Sequence, residues 1–227
     1  MIKLLIFDLD GTLVDSLRDI TNAVNRLLIQ EGTRPHSETE IAFHIGEGLR
    51  RLLSDLLPGY QQGHPEFQRI ESDFMNYYEE ECTKTVRWMP GICDFLQGWR
   101  GAKAIITNKN WQPTKRILDH LGIDQKEWCF IAGVDSWTHR KPHPGPLLEA
   151  MRRAGTGPRE TLMIGDGRPD LRAALASGAW SAALGFGYTS PAELQKLKPD
   201  IYLNSYEVLK DEIGHLNEIT SAVRLSP

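Results

Sequence analysis

Two aspartates stand two residues apart at the end of the first apolar run of the chain. The sequence has KLLIF at residues 3–7, and Asp8 and Asp10 follow it closely. A short apolar run without alternation is typical of a strand that is buried on both faces of a sheet. The first strand is therefore expected to end in two carboxylates, which suit acid–base or nucleophilic chemistry.

Other polar residues of chemical interest stand at the ends of later apolar runs. In an open α/β sheet, ligands bind outside the carboxyl ends of the strands, so we expect these residues to meet Asp8 and Asp10 at one edge. They are Thr107 and Asn108 at the end of AKAIIT, Asp166 and Asp170 after TLMIG, and Lys141 in the long loop GVDSWTHRKPHPGP.

The charges of this group predict a metal site. If Asp8, Asp10 and Asp166 converge, each raises the pKa of the others unless a cation compensates them. Mg²⁺ suits such a site because it is a hard ion that prefers oxygen ligands, and Lys141 would add a fixed positive charge. One ionised carboxylate could then attack phosphorus and form an aspartyl-phosphate. The second could act as general acid on the leaving oxygen and then as general base on water.

An open α/β sheet requires strands that alternate with helices along the chain, and most of this sequence has that alternation. Amphipathic stretches end at Gly122, Gly155 and Gly178, which are expected to close helices. The pattern predicts an α/β fold with a Rossmann-like, doubly wound parallel sheet. Its strands are predicted at KLLIF, AKAIIT, WCFIA, TLMIG, WSAALG and DIYL.

Residues 16–87 interrupt this alternation, because they have helical patterns and no convincing strand. The serine and glutamate of Ser37–Glu40 form a predicted capping box, and Asp15 or Ser16 is expected to cap the first helix of the segment. We therefore predict an inserted all-helical domain at 16–87 and a core built from 1–15 and 88–227.

Composition excludes several classes of protein. The chain has 227 residues, 41% hydrophobic and 25% charged, with a formal net charge of -4, so it has no global basic field for nucleic acid. The first apolar run is too short to span a membrane. Three widely spaced cysteines, Cys82, Cys93 and Cys129, are typical of reduced thiols. We expect a cytoplasmic protein, monomer or homodimer, without nucleic-acid or membrane partners.

Four segments together resemble the motifs of the haloacid dehalogenase superfamily. They are DLDGTLVDS, ITNK, RKPHP and GDGRPD, in the order and on the elements that the superfamily uses. The helical insert resembles the C1 cap of that superfamily, and the whole pattern is most similar to its phosphoglycolate phosphatase-like members. The resemblance covers nearly the whole chain.

The resemblance implies a role for each motif residue in phosphoryl transfer. Asp8 would be the nucleophile, and Asp10 the general acid and base. Thr107 would hydrogen-bond the transferring phosphoryl group, with help from the backbone N–H of Asn108. Lys141 would orient Asp8 and neutralise the phosphoryl charge.

The resemblance also implies the ligands of Mg²⁺. These would be the Asp8 carboxylate, the backbone carbonyl of Asp10 and the Asp166 carboxylate, with Asp170 supporting the metal or capping its own helix. Gly167 departs from the pattern, because relatives often carry serine or threonine there, which puts one supporting hydrogen bond in question.

These observations predict a Mg²⁺-dependent phosphatase that hydrolyses a small, phosphoglycolate-like phosphomonoester. Members with dehalogenase activity lack an aspartate at position 10, so that activity is not expected. A pyrophosphatase or a β-phosphoglucomutase-like enzyme would use the same motifs. A phosphorylatable receiver would not carry its acceptor on the first strand, and a non-catalytic binding protein would not need all four motifs.

Several other residues are candidates for a functional role, but a structural role is preferred for most of them. Prolines 142 and 144 exclude a regular helix that would pair His139 with His143 as metal ligands. The remaining candidates are expected to serve packing, turns or solvated helix faces. They are His44, the GEG segment at 46–48, Arg50, Arg51, Asp135 and Trp137.

Overall fold

Six parallel strands form the central sheet of the computed structural model, which describes residues 1–224. The strands are β1 (Leu4–Phe7), β4 (Ala102–Ile106), β5 (Phe130–Ala132), β6 (Thr161–Gly165), β7 (Trp180–Leu184) and β8 (Ile201–Leu203). The order across the sheet is β5-β4-β1-β6-β7-β8. Each neighbouring pair is parallel, which confirms the predicted sheet.

Helices cover both faces of this sheet, so the doubly wound arrangement is confirmed. Along β1, Leu5 and Phe7 pack into one hydrophobic cluster, and Leu4 and Ile6 pack into another on the opposite face. This alternation explains why every residue of the strand is apolar. The core helices are α5 (Ile92–Gly98), α6 (Trp111–His120), α7 (Gly145–Ala154), α8 (Arg168–Ser177), α9 (Pro191–Lys196) and α10 (Leu209–Arg224).

The predicted helix ends agree with the structure. Gly155 and Gly178 follow α7 and α8 with φ of 65° and 75°, a left-handed conformation that favours glycine. Gly122 lies one residue beyond the C-cap of α6, with φ of 68°.

Four helices form the segment between β1 and β4 that the sequence analysis identifies as an insert. They are α1 (Leu17–Gln30), α2 (Glu38–Ala42), α3 (Leu49–Leu56) and α4 (Phe67–Glu81). Ser37 and Glu40 form the predicted capping box at the start of α2. The buried faces of α1, α3 and α4 belong to the same hydrophobic cluster as one face of the sheet.

Two short strands at the ends of this segment are not predicted by the sequence. β2 (Val14–Asp15) and β3 (Arg87–Trp88) pair antiparallel and bring the entry and exit of the helical segment together. Each has only two residues, too few to show a hydrophobic alternation. In the part of the chain that the structure describes, no helix is both long and apolar enough to cross a membrane.

Candidate active site

The first strand delivers Asp8 and Asp10 to the carboxyl edge of the sheet. Asp8 continues the ladder, because its backbone N–H donates to the carbonyl of Ile164 on β6 at 3.0 Å. A tight turn follows at Gly11, with φ of 72°, and an added Cβ there would overlap the Asp166 carboxylate. The turn therefore requires glycine both for its backbone conformation and for its close approach to Asp166.

Asp8, Asp166 and Asp170 lie together at this edge. One carboxylate oxygen from each is within 4.8 Å of the other two, and all three residues are buried. Lys141 brings a fully buried ammonium group to the same place, 2.9 Å from Asp8 and 2.6 Å from Asp170. The structure thus brings together four residues that the sequence places at this edge: Asp8, Asp166, Asp170 and Lys141.

Three buried carboxylates and one ammonium group meet here, and burial, with the repulsion among the carboxylates, raises the pKa of two of them. Burial, together with the charges of Asp8 and Asp170, raises the pKa of Asp166 to about 8. Burial and the charge of Asp8 also raise the pKa of Asp170 to about 7, although Lys141 opposes them. Burial alone would lower the pKa of Lys141, but its contacts with Asp170 and Asp8 outweigh this and the pKa is raised.

This donor set fits Mg²⁺. The cluster offers several hard oxygen ligands at one point, where a single ammonium group leaves negative charge uncompensated. A raised carboxylate pKa is the expected sign of a site in which a cation would take the place of a proton.

Two groups that the sequence analysis does not identify hold the Asp166 carboxylate. The Thr12 hydroxyl donates to one oxygen at 2.9 Å, and the backbone N–H of Tyr188 donates to the other at 2.7 Å. An added Cβ at Gly187 would overlap the Asp166 side chain, so this loop passes directly against the cluster. Asp170 is fixed by the backbone N–H of Gly167 at 2.9 Å, so it both caps α8 and contacts Lys141.

The Asp10 carboxylate has a different environment from the cluster. Lys109 Nζ donates to both of its oxygens at 2.8 Å, and the Ser16 hydroxyl donates to one of them. The expectation that Ser16 caps α1 through its side chain is therefore wrong, because the hydroxyl is engaged by Asp10. Asp15 lies 3.5 Å from the N–H of Leu17, which is too long for a strong cap.

Lys109 is a site residue in the ITNK motif for which the sequence predicts no role. Its ammonium group lies 4.6 Å from the ring centroid of Tyr78 on α4. It therefore contacts both the carboxyl edge of the sheet and the helical segment. Its place in the motif could have pointed to a role. The sequence does not show its partner, because Asp10 is 99 residues away in the chain.

Thr107 and Asn108 lie beside Lys109 and are buried. The Thr107 hydroxyl accepts from the backbone N–H of Lys109 at 3.1 Å. The Asn108 side-chain amide donates to the carbonyls of Gly46 and Lys141, both at 3.0 Å, and links the helical segment to the Lys141 loop. Its Oδ1 is buried and has no hydrogen-bond partner among the described residues.

A pocket opens above these residues, between the sheet edge and the helical segment. The sheet edge contributes Asp8, Asp10, Thr107, Asn108 and Lys109 to its lining. The helical segment contributes mainly apolar side chains, among them Ile45, Leu49, Phe74 and Met75. This lining suits a small molecule that places a polar group at the sheet edge and makes few polar contacts elsewhere.

The weaker candidates lie outside the carboxylate cluster, and each has a structural partner. The His139 and His143 rings stack at 3.9 Å on an exposed loop. Arg50 and Arg51 pair with Glu71 and Asp55, and His44 also contacts Asp55. Asp135 accepts from the N–H of Trp111 at 2.6 Å, and the Trp137 ring packs edge-on against Phe130.

Comparison with known proteins agrees with the resemblance seen in the motifs. A phosphoglycolate phosphatase from Nitrosococcus oceani is 32% identical over 217 residues, which cover 92% of this chain and 95% of that protein. Phosphoglycolate phosphatase 1 from Pseudomonas aeruginosa is 33% identical over 210 residues, or 89% of this chain and 76% of that protein.

A solved structure has the same overall fold. The crystal structure of a predicted phosphoglycolate phosphatase from Haemophilus somnus 129PT superposes with a TM-score of 0.83 at 28% identity, over 92% of this chain and 97% of that one. Residues 5–184 match the haloacid dehalogenase-like hydrolase family, a range that contains all four motifs. The chain therefore belongs to the haloacid dehalogenase-like hydrolases, as the motifs predicted.

Proposed function

We propose that this protein is a Mg²⁺-dependent phosphatase that hydrolyses a small phosphomonoester through an aspartyl-phosphate on Asp8. The observation that carries the proposal is the buried contact of Lys141 with Asp8 and Asp170, beside Asp166, where Asp8 also lines a pocket. Relatives across nearly the whole chain are phosphoglycolate phosphatases, and this makes a phosphoglycolate-like ester the first substrate to test.

The metal would be held by the carboxylates of Asp8 and Asp166 and the backbone carbonyl of Asp10, with Asp170 close enough to contribute. When bound, Mg²⁺ neutralises charge on the phosphoryl group and orients it. Thr12 and the N–H of Tyr188 keep the Asp166 carboxylate in place, since each donates to a different oxygen.

The Asp8 carboxylate would attack phosphorus, form a bond to it and displace the leaving alcohol. Lys141 orients that carboxylate from 2.9 Å and offers its positive charge to the phosphoryl oxygens. The Thr107 hydroxyl and the backbone N–H of Asn108 would donate further hydrogen bonds to those oxygens. Water would then hydrolyse the aspartyl-phosphate and regenerate Asp8.

Asp10 would give a proton to the departing ester oxygen and later take one from the attacking water. Its carboxylate is held by Lys109, which follows β4, and by the Ser16 hydroxyl, which precedes α1, so these two residues set its orientation.

We also propose that residues 16–87 act as a cap over the core formed by 1–15 and 88–227. The apolar side chains that the helical segment adds to the pocket would exclude water from the phosphoryl site. The contact of Asn108 with Gly46 would join the cap to the catalytic edge when the pocket is covered. A cytoplasmic location is part of the proposal, and the free cysteines support it.

A screen of small phosphate esters with Mg²⁺ or with a chelator tests the proposed function. We expect phosphate release that requires Mg²⁺ and disappears in Asp8→Asn, because the amide cannot act as the nucleophile. Thermal unfolding and circular dichroism should show that the variant is folded. Substantial turnover by folded Asp8→Asn would move the nucleophile elsewhere, and an isomerised sugar phosphate without phosphate release would indicate a mutase.

A further inference from the structure

Lys109 occupies a position between the proposed acid–base residue and the space for a leaving group. Its Nζ is 2.8 Å from each oxygen of Asp10, and the side chain is only 7% exposed. On the other side, the ammonium group faces the Tyr78 ring at 4.6 Å. Lys109 also lines the pocket, so a small molecule bound there would meet this charge.

The backbone of Lys109 is fixed relative to the proposed phosphoryl site. Its N–H donates to the Thr107 hydroxyl at 3.1 Å, and its carbonyl accepts from the N–H of Val134 at 2.9 Å. The backbone of Lys109 is therefore held beside the proposed phosphoryl site, and the contact with Asp10 holds its ammonium group at the pocket wall.

Lys109 is the one lysine or arginine among the described residues that line this pocket. His44 also lines it, but its ring contacts Asp55 at 3.3 Å. The cap side of the pocket is largely apolar, and an anionic group placed there without a partner would be strongly disfavoured. A second anion on a substrate bound in this pocket would meet the ammonium group of Lys109, which also contacts Asp10.

We propose that Lys109 is a specificity-determining residue that binds an anionic group on the leaving alcohol. This inference rests on the proposed function, because it assumes that the ester oxygen meets Asp10. A carboxylate attached to the carbon next to that oxygen would then lie beside the group that contacts Asp10. The pocket would select phosphate esters of short hydroxy acids over esters of neutral alcohols.

The interaction of Lys109 with a substrate carboxylate would be strong because it forms at a buried site. Hydrogen bonds between an ammonium group and a carboxylate are stronger than neutral ones, and the apolar walls limit competition from water. Lys109 can bridge Asp10 and the substrate, since an ammonium group has three donors and the contacts with Asp10 and with one further anion do not exceed them.

Two matched substrates isolate this contact. 2-Phosphoglycolate carries a carboxylate next to the ester carbon, and 2-hydroxyethyl phosphate carries an uncharged hydroxymethyl group in its place. We expect the wild-type protein to prefer 2-phosphoglycolate in kcat/KM. Lys109→Gln should lower that preference by roughly 10- to 100-fold, the range expected for one lost charge-assisted hydrogen bond.

The ratio of kcat/KM for the two substrates separates recognition of the carboxylate from positioning of Asp10. Loss of the Asp10 contact would reduce kcat for both substrates alike, whereas loss of carboxylate recognition changes the ratio. Lys109→Arg should retain most of the preference, because it keeps the charge. Lys115→Gln is the matched control, since Lys115 lies on the exposed surface of α6 and pairs with Asp119.

A binding measurement supplies a readout that does not depend on turnover. In the Asp8→Asn background, we expect calorimetry to show weaker binding of 2-phosphoglycolate after Lys109→Gln and little change for 2-hydroxyethyl phosphate. Equal losses for both substrates in a folded variant would overturn the inference.

The wild-type protein itself also tests the inference, even if Lys109→Gln does not fold. Active wild-type protein that does not prefer 2-phosphoglycolate would overturn the inference and leave the phosphatase proposal standing. Wild-type protein without Mg²⁺-dependent phosphatase activity would instead count against the proposed function.

Discussion

At the scale of single residues, the site depends on the Lys141 ammonium group, which two carboxylates share. Lys141 contacts Asp8 and Asp170 and is fully buried, while Asp166 is stabilised by hydrogen bonds from Thr12 and Tyr188. Lys109 makes a comparable ion pair with Asp10 at the pocket wall. The two lysines therefore keep the proposed nucleophile and the proposed acid–base residue in separate electrostatic environments.

Replacement of Lys141 tests the first of these environments. We expect Lys141→Ala to reduce kcat/KM by several orders of magnitude, because it removes a contact that orients Asp8 and a charge that would face the proposed phosphoryl group. The variant should also be less stable, since it leaves buried carboxylates without their cation. Steady-state kinetics and thermal unfolding measure the two effects.

Lys115→Ala is the control for the Lys141 experiment, because it removes an exposed lysine that pairs with Asp119 on the same helix. It should change neither property appreciably. Near-normal activity of Lys141→Ala would remove Lys141 from the catalytic site.

At the scale of elements, the loop after β7 connects the carboxylate cluster to the helical segment. The N–H of Tyr188 donates to Asp166, and its hydroxyl accepts from the N–H of Ser16 at 2.8 Å and donates to Asp15 at 3.2 Å. Ser16 in turn donates to Asp10. One loop thus contacts both the proposed metal site and the beginning of α1, where the chain leaves the sheet.

Gly187 tests this loop, because a side chain there has no room beside Asp166. We expect Gly187→Ala to displace the Asp166 carboxylate and to lower Mg²⁺ affinity by about 10- to 100-fold, as is usual when the support of a metal ligand is disturbed. The measurement is kcat/KM as a function of Mg²⁺ concentration.

Gly214→Ala supplies the control for Gly187→Ala. Gly214 lies in α10, and an added Cβ would meet no atom within 4 Å. This change should leave Mg²⁺ dependence unaltered and stabilise the helix slightly. If Gly187→Ala and Gly214→Ala had the same Mg²⁺ dependence, the loop would not control the geometry of Asp166.

At the scale of the whole molecule, the acidic cluster couples metal binding to stability. Without metal, Asp166 has a pKa of about 8 and Asp170 a pKa of about 7, both raised mainly by burial from a usual value of 3.8. The folded protein therefore keeps protons that the unfolded chain has already released. The stability contributed by this difference is present at low pH and is lost as pH rises through the two raised pKa values.

Thermal unfolding at about pH 6 and about pH 8.5, with Mg²⁺ or with a chelator, measures this coupling. We expect Mg²⁺ to raise Tm more at the higher pH, because it binds the ionised carboxylates and does not have to displace as many protons. Asp166→Asn should reduce the difference between the two pH values. A Tm increase of equal size at both pH values would contradict the assignment of the metal to this cluster.

Much of the architecture could be predicted from local patterns. Short apolar runs identify the six parallel strands, because a strand that is buried on both faces has no polar side. Glycines that adopt a left-handed conformation mark the ends of α7 and α8. Since the carboxyl ends of parallel strands share one edge, the sequence could also predict that Asp8, Asp166 and Lys141 come together, although their catalytic roles are still predictions.

Side-chain partners that join distant segments could not be predicted in the same way. The contacts of Lys109 with Asp10 and of Tyr188 with Asp166 and Ser16 depend on how loops cross above the sheet. Ser16 shows the difference clearly. Its place before α1 suggested a cap, but its hydroxyl donates to the Asp10 carboxylate instead.

The sequence by itself determined the sheet, the helical insert and the edge at which the acidic residues meet, because these follow from hydrophobic periodicity and chain order. The tertiary structure alone decided which cation faces which carboxylate and what lines the pocket. Those choices depend on distances of a few ångströms between segments that are far apart in the chain, and such distances are set by the packing of the whole fold.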